Sequence, residues 1–220
     1  SNVKPLIRNS LLWKLVLLLA AIVLLILSYV FNQLYTDTAS VEKERDYAES
    51  YVAASEQDFS SFLADTTLLT RLVRNQESEA EFNSIVKKKY GIFLYSVDDG
   101  GTLSMHFWSS QLALPPSETY AMGELESFWN LPNGYYVLIK RFVDAGGMRL
   151  VAYAMIPIQS NFFLDTANLP DKFFFSKTAD RRVALSPLAE TPVAVKSPAG
   201  NTLFFLAKKE TGAVPYNSTL

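Results

Sequence analysis

His106 is the only histidine of the chain, and no serine or cysteine motif accompanies it, so nothing makes it half of a nucleophile and base pair. Asp98-Asp99 and Glu124/Glu126 stand in polar stretches that read as turn or loop, where solvation accounts for them. Gly100-Gly101 and Gly146-Gly147 are too short for a phosphate-binding loop and lie between strand-like runs, as turn glycines do. There is no cysteine and no cluster of metal-ligating side chains, so no disulfide, thiolate metal site, cofactor or catalytic residue is expected. What remains is the chemistry of recognition. Trp108, Tyr120, Phe128, Trp129, Tyr135, Tyr136, Arg141 and Tyr153 crowd the middle of the chain. Packing accounts for most such aromatics, yet ligand pockets are also largely apolar with a few placed polar groups. Arg141 reads equally as a bidentate donor for a carboxylate and as part of a solvated strand face. The candidate ligand site is Trp108, Trp129, Tyr135, Arg141 and Tyr153, suited to a small anionic or amphipathic ligand.

Two strands must carry most of that site. LPNGYYVLIKRFVDAGGMRLVAYAMIPI, residues 131–158, reads as a hairpin about Asp144-Ala145-Gly146-Gly147. Alternation puts Tyr135, Val137, Ile139 and Arg141 on one face and Tyr136, Leu138, Lys140 and Phe142 on the other. The turn leaves a one-residue ambiguity that decides the face of Tyr153. The site as assigned needs Tyr153 beside Tyr135 and Arg141, under Trp108 and Trp129. LVAYAMIPI is apolar on both faces, which predicts a central strand covered on both sides. Hairpins are also expected over 92–109, around Asp98 to Gly101, and over 192–208; weak strands at 173–176 and 182–185, a short helix at 120–129 and another at 160–168 complete the sheet region. The class is α+β with a mostly antiparallel sheet.

Upstream, residues 38–74 lack glycine and proline and predict one long helix, with Tyr47, Tyr51, Ala54, Phe62, Leu69 and Val73 as an inward stripe and Phe59 and Leu63 beside it. A second helix over 79–89 turns Phe82, Ile85 and Val86 inward. Before these, LVLLLAAIVLLILSYVF is uncharged, and with the apolar residues at 11–13 it approaches the ~20 residues that cross a bilayer. The run exceeds the core of a cleaved signal peptide, and no small-x-small cleavage site follows Ser28. Lys4, Arg8 and Lys14 precede it, with no acidic residue before Asp37, which predicts a cytoplasmic amino end. The expected organisation is a cytoplasmic tail at 1–9, a transmembrane helix at 10–32 and an extracytoplasmic domain at 33–220, its long helix near 38–74 and its sheet near 90–210. A net charge of −2 excludes a basic nucleic-acid footprint.

YGIFLYSVDDGGTLSMHFWSS, LPNGYYVLIKRF, VAYAMIPI and VAVKSPAGNTLFFLAKK together resemble the extracytoplasmic sensing region of bacterial membrane-bound sensor histidine kinases with Cache or PAS-like input domains. The resemblance covers most of residues 37–208 and rests on short structural motifs. It implies a two-component signal-input module in the bacterial inner membrane, homodimeric through its long helix, with the sensor domain in the periplasm. A second membrane helix, a phosphoacceptor region and an ATP-binding domain would belong to the parent kinase. Chemoreceptor or cyclase outputs, and a single-span envelope scaffold or assembly protein without a pocket, stay open.

Overall fold

The structure is a computed structural model that describes residues 4–98, 100–111, 113–161, 172–186 and 193–209. Helix α1, Lys4–Ala64, runs unbroken for 61 residues, about 90 Å at the rise of an α-helix. Leu12–Phe31 within it is long and apolar enough to cross a membrane and is wholly unburied. Further along, α1 buries Val41, Glu44, Ala48, Val52, Ser55, Phe59 and Phe62, a spacing of three and four that keeps one stripe inward.

The expected stripe holds at Phe62, Leu69 and Val73, with Phe59 beside it, all buried, and fails in its first half. Tyr47 and Ala54 are exposed and Tyr51 is half-buried, while Ala48 and Val52 are fully buried in their place. The expected single helix over 38–74 also breaks, at Asp65, whose Oδ1 accepts from the Leu68 amide at 2.9 Å and caps a new helix, α2, Thr66–Val73. Asn75, at φ 52°, closes α2, the Gln76 amide bonding back to Arg71 O at 2.9 Å. Helix α3, Glu79–Val86, opens with a Ser78/Glu81 capping box, and Glu81 also pairs with Arg71 of α2. It ends before the lysines and buries Ile85, while Phe82 and Val86, expected inward, face out.

Five antiparallel strands follow: β1 Gly91–Val97, β2 Leu103–Trp108, β3 Leu125–Leu131, β4 Gly134–Ala145 and β5 Met148–Ser160. They pair in the order β2-β1-β5-β4-β3, so β5 is central as its two-sided apolarity predicts. Strand β3 takes the second half of the expected helix at 120–129, and residues 120–124 before it form no helix. Leu125, Ser127, Trp129 and Leu131 alternate with Glu126, Phe128 and Asn130, and pairing with β4 outweighs the local helix preference. Gly134 makes the β3–β4 corner possible, since at φ 151° a Cβ there would lie 2.3 Å from the Gln159 carbonyl oxygen. Helix α4, Ala179–Arg182, leads to a separate sheet of β6 Val183–Leu185, β7 Val193–Lys196 and β8 Thr202–Lys208, ordered β6-β8-β7. The last hairpin therefore forms a second small sheet instead of extending the first. Of the expected strand at 173–176, Phe173 alone makes a bridge, to Gln159. Most of the expected helix at 160–168 lies outside the described residues.

The helices and small sheet cover one face of the five-stranded sheet, the inner face. Here Ile92, Leu94, Val137, Ile139, Leu150, Ala152, Ala154 and Ile156 meet Phe59, Leu69, Leu72 and Phe204 in one apolar core. The outer face carries a second cluster: Phe93, Tyr95, Tyr136, Leu138, Val151, Tyr153 and Met155.

Candidate functional site

The β4–β5 turn settles where the candidate residues go. Gly146 and Gly147, at φ 60° and 78°, form a two-residue turn of the type that matches strand twist, and Ala145 pairs with Met148. Lys140 therefore faces Tyr153, and Arg141 faces Ala152. Directly paired residues share a face, so Tyr153 lies on the outer face, opposite Arg141 and Tyr135. The expected grouping of those three is overturned by a one-residue difference in register.

The five residues occupy four places. Trp108, 51% exposed, ends β2 and lines a shallow hollow of about 300 Å³ with Phe82, His106 and Gln111. The His106 ring meets the Ser96 hydroxyl across the hairpin at 2.7 Å. Trp129 packs on the outer cluster and donates from its indole to Ser127 Oγ at 2.7 Å. Tyr153 is fully buried there, in edge contact with Tyr95 at 5.7 Å and near Tyr120 at 6.4 Å.

Tyr135 stands on the inner side, in a cleft of about 400 Å³ between the two sheets, lined also by Phe128, Asn130, Leu185, Ser186, Leu203 and Phe204. Its ring stacks on Phe128 at 5.7 Å, and Phe128 meets Phe204 at 4.9 Å. With Phe205, four aromatic residues, two leucines and one carboxamide line this slot, a lining that suits a flat apolar or amphipathic group. Phe128 and Asn130 come from the adjacent strand β3, but Leu203 and Phe204, which close the cleft, come from the last hairpin, and no local pattern connects residues so far apart.

Arg141 is a strut. Nη2 donates to Glu56 Oε1 of α1 at 3.2 Å, and Nη1 donates to Leu125 O at 3.2 Å and Lys140 O at 3.0 Å. Glu126, in the neighbouring strand, has its carboxyl raised above the usual range, first by burial and then by the charge of Glu56, against the lowering pull of Ser197 and Arg141. Glu56, Arg141 and Glu126 thus form a polar node where α1 meets β3 and β4. The β7–β8 turn is tied to the same helix by its Lys196 amide, which donates to Glu49 Oε1 at 2.9 Å. A second tie lies nearer the apolar segment: Glu44, wholly buried on α1, accepts from Thr178 Oγ1 at 2.7 Å and from Arg182 at 3.1 Å. Lys140, next to Arg141 in β4, is buried on the outer face. Glu124, read as solvated, accepts from the Phe142 amide at 2.8 Å.

Sequence reasoning missed Glu44, Glu56 and Lys140. The signal for Glu44 was its place in the three-and-four spacing of α1, and for Glu56 its position beside that stripe; for Lys140 it was a charge between Leu138 and Phe142 on an apolar face.

The chain matches no family model, no curated protein and no solved structure.

Proposed function

We propose that this chain is the extracytoplasmic signal-input region of a bacterial membrane-bound sensor histidine kinase, with a PAS/Cache-like domain held outside the inner membrane and the amino end in the cytoplasm. The observation that carries this reading is α1. One helix contains the apolar segment Leu12–Phe31 and also the stripe buried in the domain. A helix without an interruption transmits shift or rotation along its length, and Glu44, Glu49 and Glu56 fasten it to three different parts of the domain. The order of elements, a membrane helix leading into hairpins and a closing hairpin, also supports the resemblance noted above.

The ligand in this reading is small and amphipathic and enters the cleft of Tyr135, Phe128 and Phe204. It acts by binding one arrangement of the two sheets and α1 more tightly than the other, and it shifts the population only by that difference in affinity. Lys43, Tyr47, Ser50, Ala54, Gln57 and Ser61 form the exposed stripe of α1, and a second copy anchored in the same bilayer packs there in parallel.

The chain has no cysteine, so single cysteines at Ser50, Ala54 and Gln57 give a clean test in membranes. Disulfide-linked dimers should form at Ser50 and Ala54, and any compound that stabilises the domain should change their yields. A stabilising compound that leaves every yield unchanged refutes transmission through α1. One observation favours the other reading, an envelope scaffold: Tyr47, Tyr51, Ala54, Lys88, Tyr90 and Phe175 line an open groove of about 610 Å³ beside α1. Dimers whose yields respond to no compound, together with cross-links to a different envelope protein, would favour it.

A further inference from the structure

Packing alone leaves Lys140 unexplained. Its side chain is 1% exposed, on a face where its neighbours Leu138, Phe142 and Tyr153 are apolar or aromatic, and a hydrocarbon side chain would fill the same space without desolvating an ammonium. The ammonium spends its three donors on main-chain carbonyls of a single short segment: Thr119 O at 2.9 Å, Tyr120 O at 3.1 Å and Met122 O. The rings of Phe142 and Tyr153 lie 5.3 and 5.6 Å away, within cation–π range.

That segment, residues 115–122, lies over the outer face with no place in either sheet. It holds its own shape by short-range bonds, from the Thr119 amide to Pro116 O, the Tyr120 amide to Ser117 O and the Met122 amide to Thr119 O, at 3.0 to 3.1 Å. Its hydrogen bonds to the sheet centre on the three from Lys140, beside a long one, 3.4 Å, between Thr119 Oγ1 and the Tyr153 hydroxyl. Tyr120 adds ring contacts with Tyr95 at 5.8 Å and Tyr153 at 6.4 Å. A stretch with few ladder bonds and one concentrated anchor has the make-up of a unit that opens below the global unfolding free energy.

We propose that residues 115–122 are a strap over the outer aromatic face, that Lys140 is its latch, and that the carbonyl and ring cage around the latch is a built receptor for an alkylammonium group. The strap opens as a unit, baring Tyr95 and Tyr153, while the sheet stays folded. This proposal goes beyond the signal-input reading and does not depend on it. The cage lies on the opposite face of the sheet from the Tyr135 cleft.

Hydrogen exchange on the full chain in lipid nanodiscs tests it. In Lys140→Ala, the amides of Thr119, Tyr120 and Met122 should exchange at least about tenfold faster, as loss of a charge-assisted anchor requires, while those of the β1–β5 ladder keep wild-type rates. Added n-propylammonium, which replaces the deleted atoms, should restore protection; 1-propanol, equal in size and uncharged, should not. Unchanged strap amides in the variant, or rescue by the alcohol as well as the amine, would overturn the proposal. If the variant loses the sheet's protection too, the wild type decides: an amine-reactive acylating reagent should modify Lys140 at the opening rate of the strap. Modification only as fast as β1–β5 exchange would show that strap and sheet open together, and the latch would be rejected.

Discussion

Replacing Arg141 by alanine should destabilise the domain substantially, the reverse of what a ligand-binding arginine on a free strand face would do. The guanidinium makes three hydrogen bonds, one to Glu56 and two to carbonyls of β3 and β4. The side chains of the pair are 30% and 19% exposed. Exposed pairs contribute about 0–1 kcal/mol, and breaking a fully buried pair costs about 3–5 kcal/mol because the remaining charge stays unpaired. Exposures below a third place this pair between those limits and nearer the second, so Arg141→Ala should cost about 2–3 kcal/mol. Glu56→Gln keeps a neutral acceptor and relieves Glu126 of a like charge, so it should cost about 1 kcal/mol. A double-mutant cycle should return a coupling of about 1–1.5 kcal/mol, well above the additivity limit for independent sites. The assay is thermal unfolding of the full chain in nanodiscs, followed by tryptophan fluorescence. At roughly 2–4 °C per kcal/mol for a domain of this size, Arg141→Ala should lower Tm by about 5–10 °C. A loss under about 0.5 kcal/mol, or additive single effects, would mean that the node does not hold α1 to the sheet.

Glu126 supplies a pH test. Its carboxyl is raised in the folded state, so the folded form holds the proton more tightly, and stability falls as pH rises from the unfolded value, about 4.3, through the higher folded value. Glu126→Gln should therefore be more stable than wild type above that window and lose the difference toward acid; a constant difference between pH 4 and 8 would remove the argument. On α1, Phe59→Ala should cost about 3–5 kcal/mol, since Phe59 is 1% exposed against 43% for Tyr47, where alanine should cost under about 0.5 kcal/mol; equal losses in thermal unfolding would mean the stripe is misplaced. Gly134→Ala should destabilise by more than about 1 kcal/mol and selectively raise hydrogen exchange at the β3–β4 corner, where the new Cβ meets the Gln159 carbonyl.

Much of the architecture was legible because its causes are local. An uncharged apolar run, the glycine pairs at two hairpin turns, the two-sided apolarity of β5 and the capping chemistry at Ser78 are all read within a few residues of where they act. The expected long helix failed at Asp65 for an equally local reason, since an aspartate there can cap α2 and does. The β3 segment was misread because helix preference was weighed without the partner strand that decides the matter.

The candidate site was legible in its residue types and not in their grouping. Sequence by itself determined that Tyr135 and Arg141 share one face of a strand, that the hairpin would be central, and that aromatics would crowd it. Tertiary structure alone decided that Tyr153 lies on the other face, that the small sheet closes over Tyr135, and that Arg141 meets Glu56, 85 positions away. Alternation along a strand follows from backbone geometry and needs no neighbours, whereas what covers each face, and which charge answers which, depends on the mutual docking of elements that are distant in the chain.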